Sequence, residues 1–174
     1  DNLQVLHEDN HLIVVNKRVG DIVQGDKTGD KPLSDVVKEY IKEKYNKPGE
    51  VFLGVVHRLD RPTTGIVVFA RTSKALTRLN EMFSQRETQK TYWAVVKNKP
   101  PKTEDILIHF LKRNEKNNTS KAHIKGDLKY GFDRSNPDGG IHLHARKLVF
   151  VHPVSKESLV ITAPTTNDAI WNAM

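Results

Sequence analysis

Residues 55–70 read VVHRLDRPTTGIVVFA and place Arg58, Asp60 and Arg61 between two apolar runs. Short apolar runs bounded by turn residues read as buried strands, and a segment with three charges cannot join two such strands inside a core. The loop around Asp60 is therefore expected to surface at a strand end. Pro62 fixes its own backbone and biases Arg61 towards an extended shape, while Gly65 permits a sharp re-entry into the sheet. A carboxylate held between two guanidiniums would be ionised and aimed, as a nucleophile or base must be. The structural alternative is an Arg-Asp pair that pins a turn, and for so short a pattern taken alone it is the commoner case.

Working outward, LQVLHEDNHLIVVNK (3–17) reads as two short strands around a polar turn at Glu8 to Asn10, and DIVQGDKTGDKPLSD (21–35) as a loop. After Pro32, apolar side chains at Leu33, Val36, Val37, Tyr40 and Ile41 follow the helical period. VFLGVVH (51–57) and GIVVFA (65–70) read as strands. TSKALTRLNEMFSQ (72–85) reads as a helix with a Thr or Ser cap and one apolar side, Leu76, Leu79, Met82 and Phe83. KTYWAVVK (90–97) and DILIHFL (105–111) read as further strands. GGIHLHARKLVFVHP (139–153) is a long alternating strand with SLVITAP (158–164) as its hairpin partner, and NDAIWNAM (167–174) is a helical turn or two. Hairpins join strands as often as helices do. The expected class is α+β, a mostly antiparallel mixed central sheet with flanking helices.

Composition narrows the function. The 174 residues contain no cysteine, so there is no disulfide framework, no thiolate zinc site and no cysteine nucleophile. No apolar run approaches the roughly 20 residues that span a bilayer, and the N-terminus lacks a signal pattern, so a cytoplasmic protein is expected. Lys and Arg number 28 against 21 Asp and Glu, a net charge of +7. The pI near 9.5 favours a polyanionic partner. A solvated basic face explains the charge equally well. His142 and His144 share a strand face and His7 and His11 stand four apart, but neither pair has companions at metal-ligand spacing. HRLD also occurs in protein kinase catalytic loops, yet no glycine-rich phosphate loop, VAIK or DFG accompanies it. No second acid is framed as Asp60 is, which weakens a glycosidase reading.

HRLDRPTTGIVVFA (57–70) resembles the signature of the RluA-type pseudouridine synthases, which read His-Arg-Leu-Asp, two variable residues, Thr-Ser-Gly and an apolar run. Four more stretches match in order. They are DNHLIVVNKRVGDIVQ (9–24), with Arg18 in place of the usual proline, KTYWA (90–94), KGDLKYG (125–131), and LHARKLVFVHP (143–153) with the following AP (163–164). The resemblance spans residues 3 to 164. It implies that Asp60 attacks a uridine in RNA, so that the base detaches, turns and rejoins the ribose through carbon. It implies that Arg58 takes part in base flipping and that Tyr92 packs against the target base. Lys90 is expected beside Tyr92 on one strand face by the period of two. Arg61 and Thr64 are expected substrate contacts, Thr64 keeping the hydroxyl of the usual serine. An ordinary aspartate has a pKa of about 3.9 and is ionised at neutral pH, so this chemistry needs neither metal nor organic cofactor. The partner is ribosomal or transfer RNA, with no membrane and no obligate protein partner.

The resemblance breaks at one place. The family carries a strand–turn–strand segment with Gly-Arg-x-His-Gln-Ile-Arg, whose arginine pairs with the aspartate, before Gly-Asp-x-x-Tyr-Gly. NNTSKAHIKGD (117–127) leaves no room for it. A segment is expected to be missing between Ser120 and Lys125 from an otherwise single catalytic domain, 1–174, without the N-terminal RNA-binding domain many members carry. The shortfall keeps a second reading open, a catalytically silent RNA-binding module on the same fold; a base-releasing nucleosidase is a weaker third.

Overall fold

The structure is a computed structural model, and it describes residues 3–106 and 123–174. β1 (Val5–Glu8) and β2 (Leu12–Lys17) form an antiparallel hairpin. Asp9 ties its turn, Oδ1 accepting the backbone N–H groups of His11 and Leu12 at 2.7 and 2.9 Å. β4 (Thr64–Ala70) pairs antiparallel with β2 along its whole length, and all of its residues are buried. On its other edge β4 meets β3 (Gly54–Val55) and, at its first two residues, β6 (Leu143–Val151). β6 also pairs with β5 (Gln89–Ala94) and with β7 (Ser158–Thr162). The strand order is β1-β2-β4-β6-β5, with β3 on β4 and β7 on β6. The β4–β6 contact is parallel and the other named pairs are antiparallel. The expected α+β class holds.

Strand alternation divides the core in two. One face buries Leu12, Val14, Ile66, Val68, Leu148 and Phe150 with α2 (Ser73–Ser84), which enters through Ala75 and Leu79. The other buries Ile13, Val15, Val67, Phe69 and Ala145 with α1 (Leu33–Lys44), through Leu33, Val37 and Ile41. The helix caps explain the boundaries. Pro32 precedes α1 in extended geometry, and Thr72 caps α2 by accepting the Ala75 N–H at 3.2 Å.

The strand expected over 51–57 shrinks to Gly54–Val55. Gly54 lies so close under Leu76 that a Cβ would stand 2.7 Å from its Cδ1. Beyond Val55 the ladder stops because a side chain replaces it: the Val68 N–H donates to His57 Nε2 at 3.0 Å. Past Ala94, Val95 and Lys97 bond to Lys125 and His123, so the chain enters the sheet again directly from His123. Most of the strand expected over 105–111, and the first part of the expected join between Ser120 and Lys125, lie outside the described residues.

Candidate active site

The loop from Arg58 to Thr63 is held at three points. Leu59 is buried in the α1-side core and so leaves its neighbour Asp60 exposed. The Thr63 N–H donates to the Asp60 carbonyl at 3.0 Å, closing a tight turn over Arg61 and Pro62. Beneath that turn Lys17 is 1% exposed, and its Nζ donates to the carbonyls of Thr63 at 2.7 Å and of Arg61 and Arg18 at 3.0 Å each. Burial pushes the Lys17 ammonium down to about 8, against the attraction of Asp21 and Asp60. Lys17 is not among the site residues expected from the sequence. Its signal is there, since Ile13, Val15 and Lys17 alternate onto one strand face.

The two arginines do not hold Asp60 between them. Arg61 turns to the 20–30 loop, donating to Asp30 at 2.8 Å, Thr28 at 3.1 Å and the Gly20 carbonyl at 3.3 Å, with Asp26 at 3.8 Å. It braces one loop against another, and its guanidinium is spent on that. Arg58 is exposed and makes no ion pair among the described residues. No ion pair to the Asp60 carboxylate occurs among the described residues either.

Thr64 is also placed otherwise than expected. It is 4% exposed, and its hydroxyl pairs with His144 Nδ1 at 2.8 Å while His144 Nε2 donates to the Ala163 carbonyl at 3.0 Å. Burial lowers the His144 pKa, against the hydrogen bond to Ala163, and so favours the neutral ring, which accepts on one nitrogen and donates from the other. Thr64 thus fixes the downstream end of the loop rather than facing solvent. Asn16, Arg18, Thr64, His144 and residues 164–167 line a cavity of about 490 Å³ beside it.

Tyr92 and Lys90 lie on β5, whose six residues are all exposed. The register slips between Thr91 and Tyr92, leaving Arg146 as an extra residue on β6. Lys90 therefore stands across from Leu148 of the α2-side core, and Tyr92 across from Ala145 of the α1-side core. The extra residue is on β6, so β5 keeps its own alternation: Lys90 and Tyr92 stay on one face and line a small pocket with His57, Ile66, Ala145 and Leu148. Lys90 Nζ lies over the Phe83 ring, 4.8 Å from its centroid, and Phe83 in turn stacks on His57. Burial, with Lys90 nearby, holds the His57 pKa down to about 4, so its unprotonated Nε2 is available to the Val68 N–H. Tyr92 is 43% exposed, and partial burial raises its pKa.

Two other histidines have structural partners. His7 and His152 both reach Asp9 Oδ2, at 2.8 and 3.0 Å. Among the described residues no group of His, Cys, Asp or Glu is placed to hold a metal ion. No helix among them is long and apolar enough to cross a membrane.

Residues 11–157 match the sequence profile of a family described as RNA pseudouridylate synthase. Similar proteins include the mitochondrial pseudouridylate synthase RPUSD4 of Xenopus tropicalis, 36% identical over 104 residues, which cover 60% of this chain and 32% of that protein. Ribosomal large subunit pseudouridine synthase D of Xanthomonas campestris pv. campestris is 29% identical over 223 residues, covering 95% of this chain and 67% of that one. The chain thus matches about a third of the first relative and about two thirds of the second. In fold it is similar to human RNA pseudouridylate synthase domain containing 4, with a TM-score of 0.70 at 20% identity, covering 97% of this chain and 90% of that one.

Proposed function

The chain belongs to the RNA pseudouridylate synthase family, and from that premise we propose that it isomerises uridines of structured RNA, ribosomal or transfer, to pseudouridine. Asp60 is the nucleophile. The observation that carries this is its placement: a solvent-facing carboxylate on a turn whose carbonyls are gripped from beneath by a buried ammonium. Attack by the carboxylate on the uridine frees the base from its C–N bond, and the base turns and bonds to the ribose through carbon. The bond to Asp60 breaks so that the carboxylate is regenerated, and the proton lost from that carbon is balanced by one taken up on the freed nitrogen. Reacting atoms must be held within about 3–3.5 Å for such a step, which a loosely tethered loop would not achieve. The target has to leave its helix first, and stacking on an aromatic ring compensates part of that cost. Tyr92, half-exposed on the edge strand β5, is the stacking partner, and the exposed Arg58 enters the vacated place. Lys90 supports the strand through Phe83, and Arg61 and Thr64 hold the loop. The RNA is bound through the basic surface, and the protein works in the cytoplasm.

We also infer that this chain lacks an internal stretch its relatives carry, in the neighbourhood of 120–125. The alignment with the Xanthomonas protein runs over 223 residues although the chain has only 174, which supports that reading.

Asp60→Asn tests the assignment, since the amide keeps the shape and loses the nucleophile. Pseudouridine should vanish at the target while RNA affinity stays within a few-fold. Mapping pseudouridine across total RNA from cells with and without the gene identifies the target. Turnover near the wild-type level in Asp60→Asn would remove Asp60 from the mechanism, and RNA binding without turnover in the unaltered protein would leave a binding module.

A further inference from the structure

We infer that Trp93 and Arg146 form a second RNA contact, a stacking platform for a base in the strand flanking the target uridine. This rests on the reading that the chain acts on RNA. β5 is the last strand in the sheet order, so its outer edge borders no named strand. Its two largest side chains are neighbours, Tyr92 at 43% exposed and Trp93 at 39%. Tyr92 stands opposite Ala145, and Trp93 opposite His144. Consecutive strand residues point to opposite faces, so the edge presents one aromatic ring on each side of the sheet.

The bulge builds the platform. Arg146, the residue left unpaired in the β5–β6 register, lays its guanidinium over Trp93, 4.4 Å from the ring centroid. Its Nη1 donates to the Ala163 carbonyl at 2.5 Å, which fixes the group's position. No carboxylate pairs with Arg146 among the described residues, so its charge is not neutralised within them. An exposed indole beside an uncompensated guanidinium suits a ligand with flat π-faces and negative charge at short intervals. Single-stranded RNA has both.

The platform is mechanically joined to the Asp60 loop. Thr64, the first residue of β4 after that loop, is the register partner of His144, and His144 is the partner of Trp93. Those three positions form one row across three strands, so Trp93 lies about 10 Å from Thr64 at the usual strand spacing. Hydrogen bonds follow the same row. Thr64 bonds to His144, and His144 and Arg146 share the Ala163 carbonyl. RNA that presents a uridine to Asp60 passes within reach of Trp93, and a base stacked there fixes the strand's register against the loop.

The sequence has two tryptophans, and the other, Trp171, is buried. In a Trp171→Phe background the emission therefore reports on Trp93 alone. Titration with a single-stranded oligouridylate should quench that emission saturably, and an abasic oligomer of equal length should bind more weakly without quenching. Trp93→Ala should raise the Kd for the oligouridylate roughly 5- to 100-fold, and Trp93→Phe by less, as expected of base–aromatic stacking. Arg146→Gln should weaken binding and lower the salt slope by about one. Oligouridylate binding without quenching overturns the platform, as does an unchanged Kd in Trp93→Ala. Equal quenching by oligoglutamate overturns it too, because the site would then read charge alone. The quenching measurement needs no edge-strand variant to fold. If Asp60→Asn abolishes turnover while Trp93 proves silent, the platform fails and the isomerase reading stands. If the unaltered protein binds no RNA, both fail together.

Discussion

Lys17 Nζ lies 2.7 Å from the Thr63 carbonyl, which joins the end of β2 to the turn that displays Asp60. Replacing Lys17 with Met keeps the length of the side chain and takes the ammonium donor from three carbonyls, of which that of Arg61 keeps the Gly20 N–H. A buried group stripped of its partner costs about 1–3 kcal/mol. The urea midpoint of Lys17→Met should fall accordingly, and the Thr63 amide should exchange faster as the turn loosens. Linkage supplies a second reading. The folded pKa, about 8, lies below the ordinary lysine value of 10.5, so between those values the unfolded chain holds a proton the folded one has shed. Wild-type stability relative to Lys17→Met should therefore rise as the pH increases from about 8 towards 10.5. A midpoint unmoved at neutral pH, with no such rise, would show that the ammonium does not support the turn.

His57 stands in for a missing strand by accepting the Val68 N–H. His57→Phe preserves a ring to stack on Phe83 and removes the acceptor, isolating the hydrogen bond at about 1–3 kcal/mol. The folded pKa is depressed to about 4 from the ordinary histidine value of 6.5, so the unfolded state binds more protons across that interval. Wild-type stability should fall as the pH drops from 6.5 to about 4, and His57→Phe should lack that part of the slope. Parallel pH curves for the two proteins would refute the assignment.

Asp9 gathers the β1–β2 turn, His7 and His152 on one carboxylate, and its hydrogen bonds hold its pKa at about 2, below the ordinary aspartate value of 3.8, although its burial works the other way. Its contribution is complete above pH 3.8 and is lost as pH falls towards 2. Asp9→Asn should lower stability at neutral pH and flatten the acid limb of a denaturation series across that interval. An unaltered acid limb would place the acid sensitivity in other carboxylates.

The legible parts of this fold are those that repeat locally. α2 is announced by Thr72 and by the spacing of Leu76, Leu79, Met82 and Phe83, and β2, β6 and β7 by their apolar runs. VFLGVVH overstates β3 because it has the composition of a strand, while the hydrogen-bonding partner beyond Val55 is a side chain. The pairing of Tyr92 with Ala145 depends on a bulge in β6 whose extra residue, Arg146, lies far along the chain. Asp60 is legible from its motif. The spending of Arg61 on Asp26 and Asp30 is not, because it depends on where the 20–30 loop folds back. Lys17 is readable as a buried position, but nothing local says that three carbonyls would converge on it.

Tyr92 is half-exposed on β5 and lines a small pocket with His57, Lys90 and Ala145. If stacking is its main contribution, Tyr92→Phe should retain most isomerase activity, and Tyr92→Ala should lose a further 1–3 kcal/mol in kcat/KM, about 5- to 150-fold. Equal losses in the two variants would assign the effect to the hydroxyl.

Gly65 is where the two halves of the sheet meet, because β4 and β6 touch in register only at Thr64 and Gly65. Its φ is +116°, and a Cβ there would lie 2.4 Å from the Ala145 carbonyl oxygen and 2.6 Å from the Ala145 nitrogen. Both atoms are backbone in a paired strand, so no rotamer change relieves the overlap. Gly65→Ala must push β6 away from β4, and β6 carries β5 and β7 with it. Backbone strain alone costs about 1–3 kcal/mol and overpacking a similar amount, so the expected loss is about 3 kcal/mol or more. Gly139 separates the two effects: its φ is +74° and a Cβ added there would meet nothing within 4 Å, so Gly139→Ala should show strain without overlap. Ala145→Gly should not rescue Gly65→Ala, because the obstructing atoms remain. If Gly65→Ala does fold, the displaced β5 should separate Tyr92 from the Asp60 loop, and isomerisation should fall further than stability alone explains. Equal melting temperatures for Gly65→Ala and Gly139→Ala would show that the close approach of β4 to β6 is not what Gly65 provides.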